Sequence, residues 1–432
     1  MVSKKKISLY AVIFCAWLIF IASGERQYIL HIASMLLVTI GSCAIADFDI
    51  YHPMCWYPPF FALYSCSYTI FYMTGYVTKY GYSKWNIGYS LIALTVILLI
   101  LPTKKIQLTP NDKDNNKVNV NLSAVEIALN CLLLLTLAAI IYILSKGFIS
   151  KSDILQNGGA FINITFKAVY MILMLFAYCM IIKLKNNLKI SFIWLIKTVI
   201  PVVLFSLVTG ERNYMFQIIL IGFVCLSLFG KIRKSFFLLL IPIGVVIFPL
   251  THIFKLYLLT GNKFGQFSME NLLYQFLNGE FISASRNLQI LIQNGLKDYF
   301  KGFALLNDFA SCFVDMEFSN QRWFNGTFFP GSATQYGFTL VGEGFMNGGI
   351  IGIIIVFAIV GILMRLLYVN ANKNAYFMVA YIYMIPIFIY VTRADIGNLI
   401  SPMIKYAFFG SFIIYILQKI RITVAGKKLT KV

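Results

Sequence analysis

Four arginines, Arg212, Arg286, Arg322 and Arg393, stand in separate parts of a chain that is otherwise poor in charge. A guanidinium presents a planar fork of donors that matches phosphate oxygens two at a time. At the mouth of a membrane cavity such residues would clamp a pyrophosphate. At a membrane surface they would simply snorkel into water. The tripeptide Gly210-Glu211-Arg212 recurs as Gly24-Glu25-Arg26, and both copies fall in predicted turns, so the motif alone does not separate the two roles.

Carboxylates are the second source of chemistry. General acid–base work needs one with a tuned pKa beside the reacting hydroxyl. Glu343, in "TLVGEGFMNGG", follows a Gly-rich stretch and opens a long apolar segment. It is either a base or substrate-positioning group, or a first-turn glutamate that favours the helix dipole. Glu270, Glu280, Asp298, Asp308, Asp315, Glu317 and Asp395 are further acids in the same region or facing the same side. Asp47-Phe48-Asp49 resembles the DxD of metal-dependent glycosyltransferases, but two carboxylates are too few for a specific signal. No carboxylate cluster has magnesium or calcium character, so neither a metal nor another cofactor is expected. The histidines, His31, His52 and His252, all lie outside the long polar segment described below.

These residues sit in a chain that cannot be a soluble enzyme. Of 432 residues, 59% are hydrophobic and only 12% charged, against about 25% charged in soluble domains. Apolar runs of spanning length occur at 7–23, 28–46, 57–77, 85–102, 124–144, 161–182, 190–209, 213–230, 236–259, 338–366, 375–392 and 398–418. The expected fold is therefore all-α and polytopic, with about twelve transmembrane helices in a single integral membrane domain over 1–432. The net charge of +20 does not indicate nucleic acid, because Lys and Arg accumulate in cytoplasmic loops. The eight cysteines lack metal or disulfide spacing and read as small buried hydrophobes.

Orientation follows from the same bias. With Lys4, Lys5 and Lys6 in the cytoplasm, every other connection is basic with one exception at 47–56, and both termini lie inside. The outer side then receives the turn at Arg212, the turn with Arg393 and Asp395, and a segment at 260–337 between the ninth and tenth helices. Connections of that length tend to be functional. The runs 268–295 and 296–314 are amphipathic and would lie flat on the membrane over a cavity, whereas 323–338 reads as an irregular loop.

The order of these features resembles the bacterial O-antigen and polysaccharide repeat-unit polymerases of the Wzy type. "TGERNYM" at 209–215 looks like that family's Gly-x-Arg turn, and "ASRNLQILIQNG" at 284–295 like the start of its large periplasmic loop. "YGFTLVGEGFMNGGIIGIIIVFAIVG" at 336–361 resembles its return into the membrane, and "VTRADIGNLIS" at 391–401 its last outer arginine turn. The N-terminal half is similar only in hydropathy. The resemblance implies a GT-C-like, metal-independent glycosyltransferase of the bacterial cytoplasmic (inner) membrane. Its donor would be a growing glycan on undecaprenyl pyrophosphate and its acceptor a single lipid-linked repeat unit. A chain-length regulator and a flippase would be further partners, besides membrane lipid.

Carried onto this chain, the resemblance assigns Arg212, Arg286 and Arg393 to pyrophosphate binding and charge stabilisation, and Glu343 to the base or positioning role. Arg322, Asn347 and Asp395 join the substrate-binding set, together with Trp323 and Tyr336, which would stack on sugars or serve as interfacial belt residues. Two alternatives stand beside this reading. O-antigen ligases share the architecture but carry a functional histidine in the loop. A flippase or transporter would show matched halves and short outer loops.

Overall fold

The structure, a computed structural model, describes residues 4–75, 79–108, 122–147, 154, 157–233, 281–314, 316–330 and 337–419. Helices account for the regular structure, and no strand occurs among the described residues. In chain order they are α1 (Lys4–Ala22), α2 (Tyr28–Ile45), α3 (Pro53–Met73), α4 (Trp85–Ile100), α5 (Leu122–Lys146), α6 (Gly159–Lys185), α7 (Phe192–Thr209) and α8 (Arg212–Leu228). After the undescribed stretch come α9 (Ile282–Gln293), α10 (Phe303–Ser311), α11 (Asn320–Phe328), α12 (Leu340–Asn370), α13 (Ala375–Val391), α14 (Gly397–Pro402), a π-helical turn (Met403–Phe408) and α15 (Phe409–Lys419).

Seven helical segments among the described residues are long and apolar enough to cross a membrane, and three shorter apolar helices, α4, α8 and α13, accompany them. The protein is therefore a multi-pass membrane protein. Helices stand where eleven of the predicted spans were placed, and the twelfth, 236–259, lies outside the described residues, as do 260–280 and Tyr336. Such runs must be helical in lipid, because an α-helix satisfies its own backbone without a neighbour. No disulfide joins any of the eight cysteines.

The chain divides into two compact units. The first takes Met1–Leu108, Arg233–Ala371 and Met384–Pro402. Within it α1, α2, α3 and α4 pack in succession, and α12 lies along α4. Helix α3 starts at Pro53, with the His52 ring accepting from the Met54 amide at 3.1 Å. Helix α9 is wedged against α3, α4 and α12 and does not lie flat on a surface. Its buried residues include Ser285, Asn287 and Gln289 as well as Ile282, Leu288 and Leu291. Those polar groups are used: the Asn86 amide donates to the Ser285 carbonyl at 2.8 Å and to Gln289 Oε1 at 3.1 Å, and Ser285 Oγ accepts from the Tyr68 amide at 3.0 Å. An amphipathic pattern read as a membrane-surface helix is thus a buried helix with a polar seam.

Glu25, in the first copy of the repeated tripeptide, also acts structurally. Its Oε2 accepts from the Lys84 amide at 2.9 Å, at the N-terminus of α4, where an anion complements the helix dipole.

The second unit takes Thr109–Ile232, Asn372–Tyr383 and Met403–Val432. Here α5 packs on α6 and α7, and α8 on α6 and α7. Ser191 Oγ caps α7 by accepting from the Ile193 amide, and Gly210 ends it in the left-handed conformation at φ +72°. Arg212 is the first residue of α8 and is half-buried. Tyr214 follows it into the interior, with its ring 5.1 Å from that of Tyr170.

Candidate active site

The first unit's chemistry gathers around a break in α12. Thr339 starts this helix, its Oγ1 accepting from the Gly342 amide at 3.4 Å. Five residues after Glu343 the helical path fails at Gly348 and Gly349, where Gly349 takes φ +57° and ψ −130°. The segment predicted as one continuous span over 338–366 is therefore a short arm, 340–347, followed by a long one. The arms meet at glycines: a Cβ on Gly352 would lie 2.1 Å from the Gly344 carbonyl oxygen, and one on Gly344 would lie 2.6 Å from the Ile353 Cα. Only residues without a side chain allow backbones this close.

The break frees carbonyls that an unbroken helix would have used. The Phe345 carbonyl accepts from the Asp298 amide at 3.0 Å, and that of Met346 from the Phe300 amide at 2.8 Å. Asn347 completes the link. Its Nδ2 donates to the Glu343 carbonyl at 2.8 Å, while its Oδ1 accepts from the Ala304 amide at 3.1 Å and the Leu305 amide at 3.4 Å. Those amides belong to the first turn of α10, whose own cap position is Gly302 and offers no side chain. Asn347, expected among substrate-binding residues, uses its Oδ1 to hold α10 and its Nδ2 within α12.

Helix α10 is inverted relative to a soluble amphipathic helix. Phe303, Leu306 and Phe309 point outward, whereas Ala304, Asn307 and Asp308 are buried. The inward face brings Asp308 to Glu343 and Asp395. Glu343 has no exposed surface. Its Oε2 accepts from the Ile396 amide at 2.7 Å, its Oε1 is buried without a partner, and its carboxyl faces that of Asp308. Two facing carboxyls can bond only through a proton that one of them carries. Asp308 Oδ2 accepts from Asn320 Nδ2 at 2.8 Å, and Asn307 is a further partner. Asp395 Oδ1 accepts from the Asn398 backbone amide at 3.3 Å and from its side chain at 2.5 Å. Gly397 closes the cluster, with the Asp308 backbone and Asp395 Oδ1 each 3.5 Å from the Cβ it lacks.

Burial is the main force on these acids. It drives the Asp308 carboxyl up, and the Asp395 charge adds to it. Hydrogen bonds from Glu343, Asn320 and Asn307 pull the other way, and the group is pushed up to about 7. Asp395 is raised as well, by burial, against the hydrogen bonds of Asn398.

Two of the four arginines converge on this region through the backbone. Gly337 sits at the junction. Its carbonyl accepts from Asn287 Nδ2 at 2.5 Å, and a Cβ on it would lie 2.8 Å from the Arg393 carbonyl oxygen. The Leu340 amide donates to the Thr392 carbonyl at 3.3 Å. Arg286, adjacent to Asn287, and Arg393 are thereby anchored on either side of one glycine. Both are half-buried and rest on aromatic rings, Arg286 at 5.4 Å from the Phe329 centroid and Arg393 at 5.1 Å from that of Tyr390. Arg322 is exposed in the first turn of α11. Trp323 is half-buried, with its ring 4.8 Å from Phe300 and 5.5 Å from Tyr299. Arg212 belongs to the second unit.

Three residues here were not singled out from the sequence: Asp308, which was only one acid among eight, and Asn307 and Asn320. The signal for the first two was the inverted periodicity of "FALLNDFAS", with polar residues on the face opposite Phe303, Leu306 and Phe309. Asn320 lies just ahead of 323–338, and reading that stretch as irregular missed the helix that Asn320 opens. Residues 320–328 form α11, capped by Ser319 Oγ, which accepts from the Arg322 amide at 3.2 Å. A serine three residues ahead of that amide is a helix start in its own right.

An all-helical, multi-pass membrane protein with buried acids and arginines beside a broken helix is the class this fold and site define. Within it, residues 311–425 match the family model of the O-antigen polysaccharide polymerase Wzy. The Wzy-type resemblance read from the sequence holds over that segment, which contains Asn320, Glu343, Asn347, Arg393 and Asp395. No curated protein and no solved structure matches the chain.

Proposed function

We propose that this protein polymerises lipid-linked polysaccharide repeat units on the outer face of the bacterial cytoplasmic membrane. The growing glycan on undecaprenyl pyrophosphate is the donor, and the sugar of a new lipid-linked unit is the acceptor. The observation that carries the reading is that the polymerase family match spans Glu343, Arg393 and Asp395, three residues of the buried site. A hydroxyl of the acceptor attacks the anomeric carbon of the donor, and undecaprenyl pyrophosphate departs.

Arg286, Arg393 and Arg212 bind the pyrophosphate and stabilise the charge that develops as it leaves, a role that metal ions take elsewhere. Forks held against aromatic rings are pre-oriented for two phosphate oxygens. The buried carboxyls around Glu343 take up the acceptor's proton. Trp323, Tyr336 and Arg322 contact sugars under the outer segment 260–337. The remaining parts of the reading are a twelve-span, GT-C-like bundle with both termini inside, and a chain-length regulator and a flippase as partners.

The experiment supplies purified protein in nanodiscs with a defined lipid-linked repeat unit, with chelator present and no nucleotide sugar. A ladder of longer lipid-linked products is expected. A folded preparation that returns only the starting unit would remove the assignment.

A further inference from the structure

Glu343 is the acid that the sequence brings forward, yet its surroundings suit a proton carrier better than a proton acceptor. One of its oxygens is held by the Ile396 amide at 2.7 Å, the other, Oε1, is buried without a partner, and the contact of its carboxyl with that of Asp308 favours the Asp308 anion. It has no exposed surface. A carboxyl already donating its proton has none of the basicity the reaction needs.

Asp308 is on the accepting side of the same contact. It reaches the site from α10, within the segment that follows the undescribed part of the outer loop, and it titrates near neutrality. The charged or titratable groups that face it are Glu343 from the short arm of α12 and Asp395 from the turn before α14. Asn307 and Asn320 are its neutral neighbours.

A second observation concerns those amides. Asn320 donates its NH₂ group to Asp308 Oδ2, and Asn307 donates its own to the Phe318 carbonyl and towards Asp308. Their carbonyl oxygens, Asn320 Oδ1 and Asn307 Oδ1, are buried with no partner, on residues 0% and 3% exposed. Unmet buried acceptors are costly and are found where something else supplies the donor. An O–H or N–H donor would meet these oxygens, and under the polymerase reading the ligand that brings such donors is a sugar with its hydroxyls.

We infer that Asp308 is the proton acceptor of the site, that Glu343 is the protonated partner that positions it, and that Asn307 and Asn320 accept from neighbouring hydroxyls of the incoming sugar. The inference rests on the polymerase reading above. In the step, the acceptor oxygen forms its bond to the anomeric carbon as its proton passes to Asp308. The bond from that carbon to the pyrophosphate oxygen breaks, and its electron pair leaves with the pyrophosphate. Asp308 then returns the proton to water.

The two carboxyls respond differently to amide replacement, which gives the test. In E343Q the amide still donates to Asp308, as the protonated acid does. In D308N the side chain at this position can no longer take a proton. Ladder formation is followed against pH for wild type, E343Q, D308N and D308E in nanodiscs, with folding checked by thermal melting. D308N should lose about a hundredfold or more in rate. E343Q should lose about tenfold, the loss of a positioning group rather than of the acceptor, with the same pH midpoint. D308E should recover part of the rate with a displaced midpoint.

An E343Q variant as inactive as D308N, or a folded D308N that polymerises normally, overturns the inference. Infrared titration of the same proteins is independent of turnover. A carboxylic-acid band should fade as pH rises through about 7 in wild type and E343Q but not in D308N. If wild type forms no ladder, the polymerase reading fails, and this titration still decides whether Asp308 changes protonation. A band that titrates equally in D308N sinks the assignment.

Discussion

Asn347 Oδ1 accepts the backbone N–H of Ala304 at 3.1 Å, so a side chain at the break in α12 caps the helix that carries Asp308. The bond replaces one that Gly302, at the cap position, has no side chain to make. Removing it should weaken α10 by about 1 kcal/mol, the usual worth of a cap. N347A is expected to melt at lower temperature and to lose activity because Asp308 is no longer held in place. N347D keeps an acceptor for the same amides and should recover most of the activity. Melting of purified variants alongside product ladders checks this, and an N347A protein with full activity would show that the cap does not position the site.

The break itself makes a graded prediction at its glycines. Gly348 has extended φ and open space around it, so G348A should be neutral. Gly349 has φ +57°, and an added Cβ would lie 2.7 Å from the Lys297 Cε, which can move aside. G349A should therefore cost about 1–2 kcal/mol, mostly backbone strain. At Gly352 the obstruction is the Gly344 carbonyl oxygen at 2.1 Å, which cannot yield without separating the two arms. G352A should cost about 3 kcal/mol or more and reduce the yield of folded protein most. Yield and melting temperature across the three variants give the order, and equal tolerance of G352A and G348A would contradict the close approach of the arms.

These same residues show what a linear reading can reach. The spans were legible because lipid imposes one solution on an apolar run of about 20 residues. Glu343 was legible because a lone acid in a Gly-rich, apolar context has few ordinary explanations. Asp308 was not, because its importance lies in partners 35 and 87 residues away at Glu343 and Asp395, brought together only when α12 folds back. The adjacent glycines at 348 and 349 did mark the break, but their apolar flanks masked it as a continuous helix. The buried polar seam of α9 shows the opposite error: an amphipathic pattern was taken for a surface, when its polar side faces Asn86 and Tyr68.

Asp308 also makes stability depend on pH. Its folded pKa, about 7, lies above the ordinary carboxylate value of 3.8. Between those values the folded state holds a proton that the unfolded state has lost. The contribution is therefore fully present below about pH 4 and disappears as pH rises through about 7. D308N removes the titration and its cost. At pH 8 this variant should melt about 2–4 °C above wild type, with the difference closing towards pH 5. Melting curves across that range are the measurement, and a difference that grows towards low pH would mean that the carboxyl is stabilised as an anion.

The repeated Gly-Glu-Arg supplies an internal control for the arginines. In the first copy Glu25 caps α4 through the Lys84 amide, and Arg26 is exposed. In the second, Gly210 ends α7 and Arg212 enters α8 half-buried. A tripeptide acting only as a turn predicts equal tolerance at both arginines. Pyrophosphate binding predicts that R212A, R286K and R393K each lose about tenfold or more in chain extension, because neither alanine nor lysine presents the two-pronged fork, while R26A remains within about threefold. Chain-length distributions at matched expression decide between these outcomes. Normal polymerisation by R212A would exclude it from the clamp and leave Arg286 and Arg393, the pair anchored at Gly337, to bind the leaving group.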